Sequence, residues 1–348
     1  MKAAIRVEPG RLEITDVPEP TSVPGHSIVR VDAVSLCGSD LHYFNGPMPW
    51  NETVPGIDAP YIVCHEAVGT VVDSPAPSPW TAGDRVTLDP QHRCGECRAC
   101  RAGDIELCPH RQDMGYSADG VAAEFVSVAN DRLFRVPSDI PTHVAAAIHG
   151  LAAPLHALQT VDLSGVERAL VTGPGPAGLM FAMSLLVKLP GRDVSVAGRP
   201  SPRLDIARGI GARVIELRDE GLREFAFDWG EDSGFGLIVD TTGAANVIED
   251  AVQCLAPRGT LLLYAPNRFT LDGNAVFRRE LRVLGSTGAH RGMEEALELV
   301  RSGAVPLDEI ITHRFQFADI EAAFRLAMAG PGNRANLLKV VVELTRGG

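Results

Sequence analysis

The sequence predicts an α/β protein of two domains, a β-rich one and a doubly wound parallel sheet. Three observations carry this. A chain of 348 residues exceeds one ordinary single-core domain. Residues 1 to about 150 are rich in Pro, Gly and short β-branched runs. From about residue 165 the pattern changes to strand alternating with helix.

Within the first part, "SIVRVDAV", "AVGTVV" and "DRVTL" read as strands of an irregular β domain. The second part runs "ALVTG" (strand), "AGLMFAMSLLV" (helix), "VSVAG" (strand), "PRLDIARGIGA" (helix), "RVIEL" and "LIVDTT" (strands), "ANVIEDAVQCL" (helix) and "TLLLYA" (strand). That order predicts a parallel sheet with helices on both faces. The charged stretch "LRDEGLREFAFDWGEDSG" reads as a solvated helix and loop. From about 288 follow an amphipathic helix, "GMEEALELVRSG", a second near 318 to 329, and the strand "LLKVVVEL". This last segment extends the second domain or returns to complete the first.

The composition, 45% hydrophobic and 22% charged, can fill two cores. A formal net charge of −12 argues against nucleic-acid and anionic-membrane partners, which need a positive footprint, and favours a small-molecule substrate. The N-terminus enters strand-like alternation without a secretory apolar stretch, and "GLMFAMSLLV" is about half the roughly 20 residues that span a bilayer. A cytoplasmic, reducing location is expected. Four of the seven cysteines fall within fifteen residues, a clustering that suits a metal site better than disulfides.

Cys94-x2-Cys97-x2-Cys100-x7-Cys108 can close a tetrahedron of thiolates around zinc, leaving no position for substrate. This predicts a structural zinc site. An iron–sulfur cluster is the second reading, since four thiolates do not by themselves separate the two.

"GPGPAG", with Gly173, Gly175, Pro176, Ala177 and Gly178, follows the strand "RALVT" and opens the helix "LMFAMSLLV". In that context the glycines let the backbone approach a pyrophosphate at the helix N-terminus. About 20 residues on, where NAD-binding proteins place an acid on the ribose, stand Gly198 and Arg199. Glycine leaves room for a 2′-phosphate and arginine supplies charge-assisted bonds, which favours NADP over NAD. Alternatively, Arg199 is merely exposed and both cofactors are accepted.

"SLCGSDLHYFNG" sets Cys37, Ser39 and His42 within six positions, and "CHE" supplies His65 and Glu66 at the end of the strand "YIV". Alone, Cys37 reads as a buried thiol and His65 as a satisfied polar residue. Beside a closed zinc site and a dinucleotide fingerprint, a thiolate, an imidazole and a carboxylate point to a second metal site.

In order, "CGSDLHYFNG", "HEAVGTVV", the four-cysteine lobe, "GPGPAG" and "STGAHRGMEEALELVRSG" give the chain a resemblance, along essentially its whole length, to the zinc-dependent medium-chain alcohol and polyol dehydrogenases. It is most similar to their sorbitol, threonine and sugar dehydrogenase branch. The resemblance implies a GroES-like catalytic domain, residues 1–155 completed by 288–348, and a Rossmann domain, residues 156–287. It also implies a dimer or tetramer.

By the same resemblance Cys37 and His65 are catalytic zinc ligands, with Glu66 a third or water-linked ligand. Cys64 stands where the family usually has glycine. "AIHGLAAPLHAL" resembles the segment whose Glu-Pro-Leu carries a further carboxylate ligand in polyol dehydrogenases, so His149 replaces that acid. His149 either ligates zinc or lines the pocket, and His156 takes a packing role. Ser39 would bond the reacting oxygen and His42 would pass its proton to solvent. Thr241 and Gly243 ("TTG"), Ala265 ("YAP") and Thr287 ("STG") match segments that cradle the cofactor. The expected activity is hydride transfer between NAD(P) and a secondary alcohol or ketone of a polyol, sugar or cyclitol. Two alternatives are a metal-free quinone or enoyl reductase of the same superfamily, which would lack Cys37 and His65 together, and a non-catalytic cofactor-binding protein with an altered site.

Overall fold

The computed structural model describes residues 1–46, 60–218, 221–228, 233–265, 267–329 and 336–344. It divides into two units, residues 1–152 with 288–302 and 311–348, and residues 153–287 with 303–310. Among the described residues no helix is long and apolar enough to cross a membrane.

The first unit is built on a seven-stranded sheet. Its order is Leu133–Arg135, Arg85–Leu88, Glu66–Asp73, His26–Leu36, Lys339–Glu343 and Ile311–Gln316, with Phe125–Ala129 also pairing to His26–Leu36. The central strand, HSIVRVDAVSL, is buried or half-buried along its length except at Arg30, since it is covered on both faces. Both neighbours run antiparallel to it, with Ser35 opposite Glu66 and Leu36 opposite Val340. Consequently the residue after its end, Cys37, and the first residues of its neighbours, Glu66 and Lys339, meet at one end of the sheet. The C-terminal strand thus joins the sheet of the first unit.

The second unit is a six-stranded, all-parallel sheet in the order Arg213–Glu216, Asp193–Gly198, Arg168–Thr172, Phe235–Asp240, Leu255–Leu263, Arg282–Gly285. This is the 3-2-1-4-5-6 winding of dinucleotide-binding sheets, which reverses direction beside the first strand. The helix Pro176–Lys188 is buried over Gly178–Leu185, as its continuous apolar run requires. A helix, Gly273–Arg279, and the edge strand Arg282–Gly285 add to the elements expected from sequence. Of the charged stretch 217–234, residues 219–220 and 229–232 lie outside the described residues; the remainder includes a 3-10 turn, Gly221–Phe225, that buries Leu222.

Asp89, fully buried in the first unit, ties the returning segment to the zinc-lobe base: it bonds His290 Nδ1 at 2.8 Å and pairs with Arg93. Burial opposes its charge, but the bond from His290 and the Arg93 guanidinium prevail and bring its carboxyl down to about 2. Relative to an ordinary Asp this is worth about 2 kcal/mol. Because the folded value is depressed, that stability is complete above the usual carboxylate range, near pH 4, and is lost as pH falls through about 2. Asp89→Asn is expected to lower the melting temperature at pH 7, and to lose less stability than wild type between about pH 5 and 3, in melts followed by circular dichroism.

Candidate metal centre and cofactor turn

Cys37 caps the helix Gly38–Asn45 from an extended conformation. Its N–H donates to Asp40 Oδ2 at 2.8 Å, while Asp40 Oδ1 accepts from His65 Nδ1 at 2.7 Å. One buried carboxylate therefore fixes a helix N-terminus and an imidazole together. With Nδ1 engaged, the other ring nitrogen, Nε2, is directed to whatever binds there, the arrangement usual for a metal-ligating histidine.

Glu66 is fully buried. Its Oε2 accepts from Ser35 Oγ and from Lys339 Nζ, each at 2.6 Å. Its Oε1 has no hydrogen-bond partner among the described residues and stands 4.0 Å from His65 Nε2 and 3.8 Å from His149 Nδ1, which is itself buried and unpartnered. Burial opposes the charge on Glu66, but the Lys339 ammonium and the two imidazoles outweigh it and hold the carboxyl well below its usual range. Lys339 is pushed the other way: burial disfavours its charge, and Glu66 restores it.

Ligand atoms of Cys37, His65 and Glu66 lie within 4.8 Å of one another. A thiol, an imidazole and a carboxylate with an orphaned buried oxygen fit a zinc ion that keeps an open position. His149 does not join this mutually close group; its ring stands edge-on to His65 with centroids 5.4 Å apart. So three side chains converge, with His149 beside them. His42 is exposed on its helix, and Ser39 Oγ lies 2.6 Å from the hydroxyl of Tyr116. His156 is buried.

Cys64, before the ligand histidine, is buried with φ +68°. That left-handed conformation is what glycine adopts freely, which accounts physically for the glycine expected there from the resemblance. The thiol departs from that pattern at a strain of about 1 kcal/mol.

Sulfur atoms of Cys94, Cys97, Cys100 and Cys108 also lie within 4.8 Å of one another, with Cys108 Sγ 3.6 Å from Cys94 Sγ and 3.9 Å from Cys97 Sγ. Backbone N–H groups of Glu96 and Cys97 bring the Cys94 thiol down to about 6, whereas desolvation and the neighbouring sulfurs push Cys100 up to about 12. Four thiols so crowded hinder each other's ionisation, and a divalent cation removes that conflict. The residues fit structural zinc.

In the second unit Gly173 has φ +97°, and a Cβ on Gly178 would lie 1.9 Å from the Gly173 carbonyl, so both glycines close the turn between strand and helix. A Cβ on Gly175 would meet nothing within 4 Å; its absence serves no packing need and leaves the backbone at the N-cap of Pro176–Lys188 open. This cradle, with Pro176 and Ala177 in the first turn, fits a dinucleotide pyrophosphate. Gly198 has a packing reason as well, since a Cβ there would come 2.5 Å from Pro174 Cδ; Arg199 beside it is exposed. Thr241 Oγ1 donates to the Thr172 carbonyl at 2.7 Å. Asp240, missed in the sequence, accepts from Thr172 Oγ1, Thr242 Oγ1 and the Gly243 N–H, and so shapes the "TTG" loop. A Cβ on Gly243 would touch Ala265 Cβ at 3.3 Å; Pro266 lies outside the described residues, and Thr287 is exposed.

Three further residues escaped the sequence reading. Asp40 had a signal, an acid three positions after a helix-capping residue. Lys339 had one too, a charge that opens the apolar run Val340–Val342. Tyr116 had none.

Removing Lys339 leaves a buried, uncompensated carboxylate. Lys339→Met is expected to cost about 3–5 kcal/mol in denaturant unfolding, and pairing it with Glu66→Gln to recover part of that loss.

Comparison with known proteins agrees with this arrangement. Residues 23–138 match the alcohol dehydrogenase GroES-like domain, and residues 156–344 the glucose dehydrogenase C-terminus. The chain is 31% identical to an L-threonine 3-dehydrogenase of Pyrococcus horikoshii, over 95% of this chain and 96% of that one. It is 32% identical to a D-altritol 5-dehydrogenase of Agrobacterium fabrum, over 95% and 97%. Among solved structures, a candidate zinc-binding dehydrogenase of Sinorhizobium meliloti bound to NADP superposes with a TM-score of 0.86 at 25% identity, covering 99% of each chain. The chain belongs to the zinc-dependent medium-chain alcohol and polyol dehydrogenases, NAD(P)-dependent oxidoreductases with a GroES-like domain and a Rossmann domain.

Proposed function

We propose that this chain is an NADP-preferring zinc dehydrogenase that interconverts a secondary alcohol of a polyol, sugar or cyclitol with its ketone. The observation that carries the reading is the convergence of Cys37, His65 and Glu66, one orphaned carboxylate oxygen included, in a chain that also carries the open Gly175 turn. A metal-free reductase has no use for that donor set.

Cys37 and His65 would hold the catalytic zinc, with Glu66 as the third or water-linked ligand. Zinc bound there supplies Lewis-acid chemistry, easing loss of the hydroxyl proton or polarising the ketone. Ser39 Oγ hydrogen-bonds the reacting oxygen and receives its proton, and His42, exposed on the same helix, delivers it to solvent. Gly173, Gly175 and Gly178 hold the dinucleotide, and Arg199 meets the 2′-phosphate. His149 lines the site and shares a water with Glu66 Oε1 rather than ligating, a reading supported by its place outside the close donor group. The enzyme is read as a cytoplasmic homo-oligomer, a dimer or tetramer.

Turnover of polyols, aldoses and cyclitols with NADP and with NAD tests the activity; activity with none of them contradicts it. Arg199→Ala is expected to weaken NADPH binding about tenfold in a fluorescence titration and to leave NADH binding in place, as loss of a charge-assisted bond implies. Equal affinity of the wild type for both cofactors would overturn the preference. Elemental analysis is expected to give two zincs per chain in the wild type and in His149→Ala, and one in Cys37→Ala. One zinc in His149→Ala would make that imidazole a ligand.

A further inference from the structure

Tyr116 belongs to a turn that is built against the backbone of Cys64, the residue before the ligand histidine. Cβ atoms on Gly115 and Gly120 would lie 2.7 and 2.2 Å from the Cys64 carbonyl, and the Val121 N–H donates to that same oxygen at 3.0 Å. The Tyr116 N–H donates to the Asp113 carbonyl at 3.1 Å, and its ring stacks on Tyr43 with centroids 4.4 Å apart and planes at 21°. So held, the phenol oxygen sits 2.6 Å from Ser39 Oγ, and 2.5 and 3.0 Å from His65 Nδ1 and Nε2.

The hydrogen bonds can be assigned from their partners. Asp40 accepts the Nδ1 proton of His65, which makes Nε2 the acceptor of the neutral ring. The Tyr116 oxygen lies nearer Nδ1 than Nε2, off the line of the Nε2 lone pair, so its hydrogen-bond partner is Ser39 Oγ. Once Ser39 Oγ turns to the reacting oxygen, the Tyr116 hydroxyl keeps a proton to donate and has lost its acceptor. A half-buried donor left so is costly, and a ligand oxygen relieves it. Ser39, one hydrogen-bond length away, is the group assigned to the reacting oxygen. Two adjacent oxygens at that spacing are what the neighbouring hydroxyls of a gauche diol present.

We propose that Tyr116 is a specificity-determining residue that donates its hydroxyl proton to the hydroxyl next to the reacting carbinol, and thereby selects vicinal diols over simple secondary alcohols. This rests on the zinc dehydrogenase reading and names the feature its substrates share. A site that hydrogen-bonds a substrate hydroxyl discriminates strongly against an analogue lacking it.

The test compares cis-1,2-cyclohexanediol with cyclohexanol in wild type, Tyr116→Phe and Tyr116→Leu. Steady-state kinetics and quenching of nicotinamide fluorescence in the enzyme–NADPH complex are both read, with zinc content as the check on the fold. The wild type is expected to favour the diol about tenfold or more in kcat/KM and in Kd, and both variants to lose that preference, chiefly through KM, with two zincs per chain retained. A preference that survives in both variants, or a wild type with none, overturns the assignment. Should the diol preference appear in binding and vanish in the variants while no alcohol is turned over, the dehydrogenase reading falls and the role of Tyr116 stands.

Discussion

The two oxygens of the Asp40 carboxylate grip the Cys37 N–H and the His65 ring at 2.8 and 2.7 Å, and the position of every other group in the candidate metal centre follows from that grip. Cys37 is bound to the start of a helix and His65 to the start of a strand; Asp40 sets the distance between them. The sheet register does the rest. Both neighbours of His26–Leu36 are antiparallel to it, so Glu66 and Lys339 arrive at the end that Cys37 leaves. A one-residue slip of either strand would turn its side chains to the opposite face and disperse the donors.

Charge balance explains why such a concentration of acids is stable in a dry place. Glu66 and Lys339 compensate one another at 2.6 Å, with Ser35 satisfying the same oxygen. Asp40 is compensated by hydrogen bonds from Cys37 and His65. Among the described residues one Glu66 oxygen keeps no hydrogen-bond partner, and ligand atoms of Cys37, His65 and Glu66 lie within 4.8 Å of one another.

Much of this was legible in the sequence. The strands and helices of the parallel sheet show strong periodicity and clear Gly and Pro boundaries, so "RALVT", "DVSVAG" and the buried helix after "GPGPAG" fell where local pattern placed them. The short edge strand "RVLG" carries no alternation to read and exists because Leu255–Leu263 lies beside it. Ligand types were legible from residue chemistry and spacing, but their supporting partners were not. Asp40 reaches His65 across 25 positions and Lys339 reaches Glu66 across 273, contacts that only the folded sheet creates. Gly198 read from sequence as space for a phosphate; it also makes room for Pro174.

A second zinc is expected between one sulfur, one ring nitrogen and one carboxylate, apart from the four-sulfur site. X-ray absorption at the zinc edge of the fully loaded protein tests it directly. A mixed first shell is expected, in which sulfur neighbours at about 2.3 Å are accompanied by nitrogen and oxygen at about 2.0–2.1 Å. In Cys97→Ser protein stripped of its lobe metal, that mixed signal should persist. A first shell of sulfur alone in the loaded wild type would contradict it.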